Sequence, residues 1–345
     1  MNRIRVNTSK KYDIVIGNGL LRKAGKYLSE ILPGNAKLAI ISDSNVWPIY
    51  GETVKKSLLQ NGYAVAEFVF PAGEASKNSD TYLQILNFLA ENHITRTDAV
   101  IALGGGVTGD MAGFAAATFL RGIRYIQMPT SLLAMVDSSV GGKTAIDLPA
   151  GKNLLGAFHQ PAMVLCDTDA LITLPDSIFC DGCAEVIKYG ILFDTELFSH
   201  LEEHGLDFDR NAVISRCVEL KRDVVCADEF DTGLRQKLNL GHTIGHGIEL
   251  KSNFSVTHGQ AVAIGMAIVS KAGCKEIYPR VTALLKKFGL PYSTAFTAKA
   301  LAECALSDKK RTGGTINLII PKTIGDCAIV PMPVSQVESF IEEGL

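Results

Sequence analysis

In the first half of the chain, short apolar runs alternate with segments of helical spacing. KLAIISDSN (37–45) and YAVAEFVF (63–70) read as strands, and SDTYLQILNFLAEN (79–92) has the apolar spacing of a helix. DAVIALGGG (98–106) reads as a third strand ending in glycines, followed by a helix that begins near Thr108 or Gly109. IRYIQMPTS (123–131) and MVLCD (163–167) give two more strands. This order predicts a mostly parallel sheet with helices on its faces, and ligands beyond the carboxyl ends of the strands. After about residue 170 the pattern changes. The segments 178–204, 209–228, 241–250, 258–274 and 279–289 read as helices, 312–321 and 327–332 as two short strands, and 334–343 as a last helix. The natural division is 1–170 as an α/β domain and 171–345 as a mainly helical one.

Length supports the same division, because 345 residues are long for one core, although a single larger α/β barrel would also fit. A formal charge of −2 and an apolar share of 47% describe an ordinary soluble chain with no polyanion-binding surface. The first residues lack an apolar stretch followed by a small-residue cleavage site. The longest membrane-like run, AVAIGMAIV (261–269), is roughly half the length that spans a bilayer. The expected location is therefore the cytoplasm, with no membrane or nucleic-acid partner. Eight cysteines in such a chain read as reduced thiols, with CDGC (180–183) as the one spacing that could serve redox chemistry or a metal.

Three of the seven histidines fall at 242, 246 and 258. A helix over 241–250 puts His242 and His246 one turn apart, with Glu249 close to the same side. Imidazole and carboxylate are ligands for zinc and similar ions, and His258 heads the next apolar segment. Hydrogen-bonded structural histidines would give the same spacing, so the pattern alone leaves both readings open. Upstream, Glu185 and Lys188 share a helix face inside the apolar AEVIKYGILF. They form either a surface ion pair or a buried one. A buried pair would need further partners, which a metal or an anionic ligand supplies.

LGGGVTGD (103–110) sits where a strand hands over to a helix, and its glycines let phosphate approach the free N–H groups of the helix start. VGGKTAI (140–146) lacks the upstream glycine of a P-loop, having Asp137 in that place, which argues against a nucleotide triphosphatase. GGK and GKNLLGAF (151–158) could instead carry lysines toward a phosphate or carboxylate. The residues thus sum to a nucleotide-binding α/β domain beside a helical domain with a metal site, a combination suited to a metal-dependent alcohol dehydrogenase.

Several longer blocks add to this. PAGEASK (71–77), GGGVTGD (104–110), FLRG (119–122), PTSLLAMVDSSVGGKT (129–144) and GKNLLGAFHQP (151–161) lie in the first half. AEVIKYG (184–190), RQKLNLGHTIGHGIE (235–249), HGQAVAIGM (258–266) and DKK (308–310) lie in the second. Together they make the chain resemble the 3-dehydroquinate synthases of the shikimate pathway, within the sugar phosphate cyclases. The resemblance implies a Rossmann-like α/β N-terminal domain that binds NAD, a mainly α-helical C-terminal domain that binds zinc or cobalt, and a homodimer. It also implies conversion of 3-deoxy-D-arabino-heptulosonate 7-phosphate to 3-dehydroquinate and phosphate. The steps are transient oxidation by NAD, phosphate elimination, reduction, ring opening and aldol cyclisation.

On this resemblance the metal ligands are Glu185, His242 and His258, while His246 becomes a substrate- or phosphate-relay residue. Around the substrate it places Asp137, Lys143, Lys152, Asn153, Lys188, Lys221, Arg235 and Asn239. It adds Lys309 or Lys310, and Arg121 reaching in from a partner subunit. The NAD side takes Asp43, Glu74, Lys77, Gly105, Gly106, Asp110, Thr130 and Ser131, together with Lys143 and Lys152. Three positions depart from the usual pattern. Gln260 replaces a glutamate that could orient a ligand histidine, Ser131 stands where threonine is commoner, and CDGC precedes Glu185. Rival readings are cyclases that make an inosose, a valiolone or an amino analogue of dehydroquinate, and a glycerol-type dehydrogenase. Inosose enzymes tend to carry glutamate at the position of Asn239, and a glycerol dehydrogenase would not need so many cations.

Overall fold

The computed structural model describes residues 1–307, 311–312 and 314–345. Two compact units emerge: Met1–Leu174 with Lys221–Phe230, and Pro175–Leu220 with Asp231–Leu345.

The first unit is built on a seven-stranded sheet of order β1-β2-β9-β6-β5-β3-β4. Its strands are β1 (Asn2–Val6), β2 (Tyr12–Gly17), β3 (Lys37–Asp43), β4 (Ala64–Phe70), β5 (Ala99–Gly104), β6 (Arg124–Pro129) and β9 (Met163–Asp167). Only β1 runs antiparallel to its neighbour. Parallel strands covered on both faces are apolar throughout, as every residue of β5 is. The strand period of two sends neighbours to opposite cores. Leu38, Ile40 and Ile101 pack in the core that holds helices α1 (Ala24–Leu28) and α2 (Glu52–Gln60). Ala39, Ile41 and Val100 pack in the core that holds α3 (Ser79–Glu91) and α4 (Gly106–Thr118).

Three features of this unit were not read from the sequence. The β1–β2 hairpin is one, since its strands are short and separated by polar NTSKK. The second is a hairpin of β7 (Lys143–Leu148) and β8 (Gly151–Phe158), which turns the two lysine-bearing glycine segments into paired strands. The third is the start of α4 at Gly106 rather than near Thr108 or Gly109, because glycine is tolerated in the first helical turn.

In the second unit the long helical segment expected over 178–204 divides at Asp194 into α5 (Asp176–Phe193) and α6 (Thr195–His204). Asp194 is extended (φ −148°), and its carboxylate accepts from Leu197 N–H, starting a new helix. There follow α7 (Arg210–Ala227), whose last turns are counted with the first unit, then α8 (His242–Lys251), α9 (His258–Gly273) and α10 (Tyr278–Lys287). An unanticipated helix, α11 (Ala298–Ser307), precedes a small antiparallel sheet of β10 (Arg311–Thr312), β11 (Thr315–Thr323) and β12 (Asp326–Pro333). The chain closes with α12 (Val334–Gly344). Among the described residues no helix is long and apolar enough to cross a membrane.

Candidate active site

In the second unit the chemistry gathers around Glu185. The middle of α5 is buried all round, so Glu185 and Lys188 lie inside the protein (0% and 1% exposed) and pair with each other. The surface ion pair is therefore excluded. His242 opens α8, and its Nδ1–H donates to the Leu240 carbonyl at 3.0 Å, which leaves the Nε2 lone pair 3.3 Å from Glu185 Oε1. His258 opens α9 with Nε2 also 3.3 Å from Glu185 Oε1, and its Nδ1 lies 3.5 Å from Glu249 Oε2. Candidate ligand atoms of Glu185, His242 and His258 all fall within 4.8 Å of one another.

This donor set fits a divalent cation. It is one carboxylate and two imidazoles, the three-ligand pattern of a catalytic site with a position left over. Both Glu185 oxygens are buried and make no directional hydrogen bond, although three nitrogens stand at ion-pair distance. Burial alone would raise the Glu185 pKa, but the Lys188 ammonium above all holds it well below the usual carboxylate range. Burial, assisted by Lys188, lowers His242 to about 4, so its imidazole is neutral and ready to ligate. At His258 burial is outweighed by Glu185 and Glu249, which raise it to about 10. To hold a metal with Glu185, His258 would give up the proton on Nε2, the nitrogen that faces Glu185.

The arrangement divides the histidines in a way helical spacing could not. The His246 ring stands 5.7 Å from that of His242 and 6.4 Å from that of His258, beside the cluster. Glu249 faces His258 across from its own helix, Oε2 to Nδ1. Gln260, read from the sequence as replacing a glutamate that could orient a ligand histidine, has a different task in the fold. Its Oε1 accepts from Thr257 N–H at 3.3 Å, closing a capping box at the head of α9, and Glu249 is the carboxylate beside His258. Nearby, Arg235 is buried in the short 3₁₀ turn Leu234–Asn239, and Asn239 Nδ2 donates to the Gln236 carbonyl at 3.1 Å. Lys309 and Lys310 lie outside the described residues. The CDGC cysteines are free, and burial pushes the Cys183 thiol well above its ordinary range, which disfavours a thiolate ligand there.

In the first unit Asp43, the Gly105–Gly106 turn and Thr130–Ser131 sit at the carboxyl ends of adjacent strands β3, β5 and β6, where open α/β sheets bind ligands. Asp43 ends β3, accepts from Asn45 and Val46 N–H at 2.9 and 3.0 Å, and receives Thr108 Oγ1 at 3.2 Å. Thr130 N–H donates to the Gly104 carbonyl at 2.9 Å, and Ser131 follows. A Cβ on Gly105 would meet only the Ser131 side chain, at an ordinary 3.5 Å or more. Internal packing therefore does not demand glycine there, and the bare backbone leaves room for a ligand. No side chain caps the start of α4, so the amides from Gly106 onward are available to phosphate.

Around this turn, Lys77 is buried and donates to Asp110 at 2.6 Å and to Asn153 Oδ1 at 2.5 Å. Burial would lower its pKa, but Asp110 outweighs it, and the ammonium stays charged. Glu74 pairs with Lys152 at 3.3 Å. Lys221 donates to both the carboxylate and the carbonyl of Asp137 at 2.5 Å. Lys143 is exposed at the start of β7. Arg121 is exposed too, with φ +67° directly after Leu120 at φ +52°. Asp147 was missed at the sequence level. It accepts Asn153 N–H at 2.7 Å, and its own N–H donates to the Lys77 carbonyl at 2.8 Å. Its only signal was a carboxylate at the edge of a hairpin that the sequence did not reveal.

A parallel sheet with an open glycine turn, together with a helical unit built around a Glu–His–His centre, defines the dehydroquinate-synthase-like class of α/β-plus-helical enzymes. The 2-epi-5-epi-valiolone synthase of Streptomyces hygroscopicus, solved with NAD+ and Zn2+ bound, superposes with a TM-score of 0.89 at 27% identity over 99% of both chains. A 2-deoxy-scyllo-inosose synthase, solved with carbaglucose-6-phosphate, NAD+ and Co2+, gives 0.87 at 25% identity over all of both chains. The family models for the N-terminal and C-terminal parts of 3-dehydroquinate synthase match residues 67–181 and 182–311. The 3-dehydroquinate synthase of Pelobacter propionicus is 45% identical over 98% of each chain. The chain belongs to the 3-dehydroquinate synthase family, and it is an enzyme of the carbon–oxygen lyase kind.

Proposed function

We propose that the protein converts 3-deoxy-D-arabino-heptulosonate 7-phosphate into 3-dehydroquinate and phosphate, with NAD and one zinc or cobalt ion as cofactors. In this reading residues 1–170 carry the dinucleotide and 171–345 the metal and most of the substrate contacts. The enzyme works as a cytoplasmic homodimer. The observation that carries the proposal is the buried Glu185 carboxylate, without a directional hydrogen bond, facing the Nε2 atoms of His242 and His258.

When bound, NAD accepts and returns a hydride while the divalent ion polarises the carbinol oxygen and orients neighbouring hydroxyls. Glu185, His242 and His258 would hold the ion. Lys188, fixed by its pairing with Glu185, presents a positive charge beside the metal centre. Arg235, buried and charged at every relevant pH, suits the substrate carboxylate, and Asn239 suits its hydroxyls. Lys143, Lys152, Asn153, Lys221 and Asp137 serve the rest of the substrate, with His246 relaying a proton or phosphate. Asp43, Glu74, Lys77, Asp110, Thr130, Ser131 and the amides after Gly105 serve the dinucleotide. Among the residues given to the substrate, lysines and arginine outnumber general bases, which agrees with the substrate's own phosphate taking the proton during elimination. Ring opening and closure then require positioning more than acid–base power.

Asparagine at 239 favours this substrate over the inosose precursor. The test is incubation with the heptulosonate phosphate, catalytic NAD and Zn2+ or Co2+, following phosphate and cyclic product together. Equal yields of both are expected, with no net NADH. Phosphate release from glucose 6-phosphate, with none from the heptulosonate phosphate, would replace this reading with the inosose one.

A further inference from the structure

The first turn of α9 is tied to α5 by the aspartate inside CDGC. Asp181 stands one helical turn before Glu185 on α5. Its Oδ1 accepts from Thr257 Oγ1, the cap of α9, and from Gln260 N–H at 3.1 Å. These two contacts bracket His258, the first residue of that helix. The backbones are pressed together at the same point, since a Cβ on Gly259 would come within 2.0 Å of the Asp181 carbonyl oxygen. A carboxylate at a helix N-terminus complements the positive end of the helix dipole. Here that charge comes from the neighbouring helix, while residue 260 in the capping box is a neutral amide.

We propose that Asp181 is a positioning residue of the metal centre. It locks the first turn of α9 onto α5, and thereby sets His258 against Glu185. It also supplies the negative charge that a glutamate at 260 would otherwise bring, so the amide at 260 and the carboxylate at 181 are a matched pair. The proposal rests on the metal reading above. A glutamate at 260 in the unaltered chain would set two carboxylates against each other at one helix start. With Asp181 removed, the same glutamate would restore the missing charge.

The experiment titrates the metal-stripped protein with Zn2+ alone, in competition with a chromophoric chelator, and records the melting temperature of the metal-free form. Asp181→Ala is expected to weaken Zn2+ binding about tenfold, the scale of residues that orient metal ligands. Gln260→Glu is expected to weaken it about threefold in the parent and to strengthen it in the Asp181→Ala background, so that one substitution changes sign. A parent protein that takes up no Zn2+ would overturn the metal reading and this proposal together. A parent that binds Zn2+ while Asp181→Ala binds it equally well, or a Gln260→Glu effect of the same sign in both backgrounds, overturns the proposal alone. Should Asp181→Ala fail to fold, unaltered Zn2+ affinity in Gln260→Glu by itself has the same consequence.

Discussion

Glu185 derives its chemistry from burial. An isolated carboxylate at 0% exposure would be driven neutral, yet Lys188 and His258 at ion-pair distance keep it charged. Glu185→Gln keeps the shape and removes that charge. Zn2+ affinity and turnover should each fall by more than about 100-fold, beyond what loss of an orienting residue causes. Stability should fall too, by about 1–3 kcal/mol, because the carboxylate paired with Lys188 is gone. Zn2+ titration, product assay and urea denaturation of one preparation check all three, and full metal-dependent activity in the variant would end the assignment. His242→Ala should lose metal in the same way while leaving the pair of α5 intact. Residue types were legible here from AEVIKYG, GHTIGH and HGQ. Facing was not: that Glu249 lies beside His258 shows only in the fold.

His242 and His258 each open a helix, so the elements of the second unit can be tested at their ends. Asp194 caps α6 through Leu197 N–H at 2.9 Å and pairs with Arg216 Nε at 2.5 Å. Burial would raise its pKa, but these contacts bring it below the ordinary value. Its contribution is therefore complete above the unfolded pKa near 4 and is lost as pH falls through the lower folded value. Asp194→Ala should cost about 1–2 kcal/mol at pH 7, and its deficit against the parent should shrink toward pH 2–3. Urea denaturation at the two pH values decides it, and a deficit independent of pH would show that charge plays no part. Gly259→Ala tests the contact of α5 with α9. The added methyl has no space, so a loss of about 1–3 kcal/mol is expected by calorimetry, together with weaker Zn2+ binding. The break between α5 and α6 was hidden in the sequence, because both flanking segments are good helix formers and a single aspartate serves as readily inside a loop as at a cap.

For the whole molecule, the proposed homodimer has a direct test in Arg121. It is exposed and follows Leu120 in a left-handed turn. A mixed dimer of one Arg121→Ala chain and one Lys188→Ala chain should regain up to one subunit's activity, half that of the parent dimer, if Arg121 serves its partner's site. A verified heterodimer without activity would remove that role. The sequence by itself determined the alternation of strands and helices, the change of character after about residue 170, the glycine turn and the residue types of the metal centre. These are properties of period and local chemistry, written within a few neighbouring residues. Strand order, the two hairpins of the first unit, and the meeting of Glu185, His242 and His258 were decided by tertiary structure alone. So was the assignment of Lys221–Phe230 to the first unit. In each case the partners are distant along the chain, and only the packing of buried surfaces selects which of many compatible faces come together.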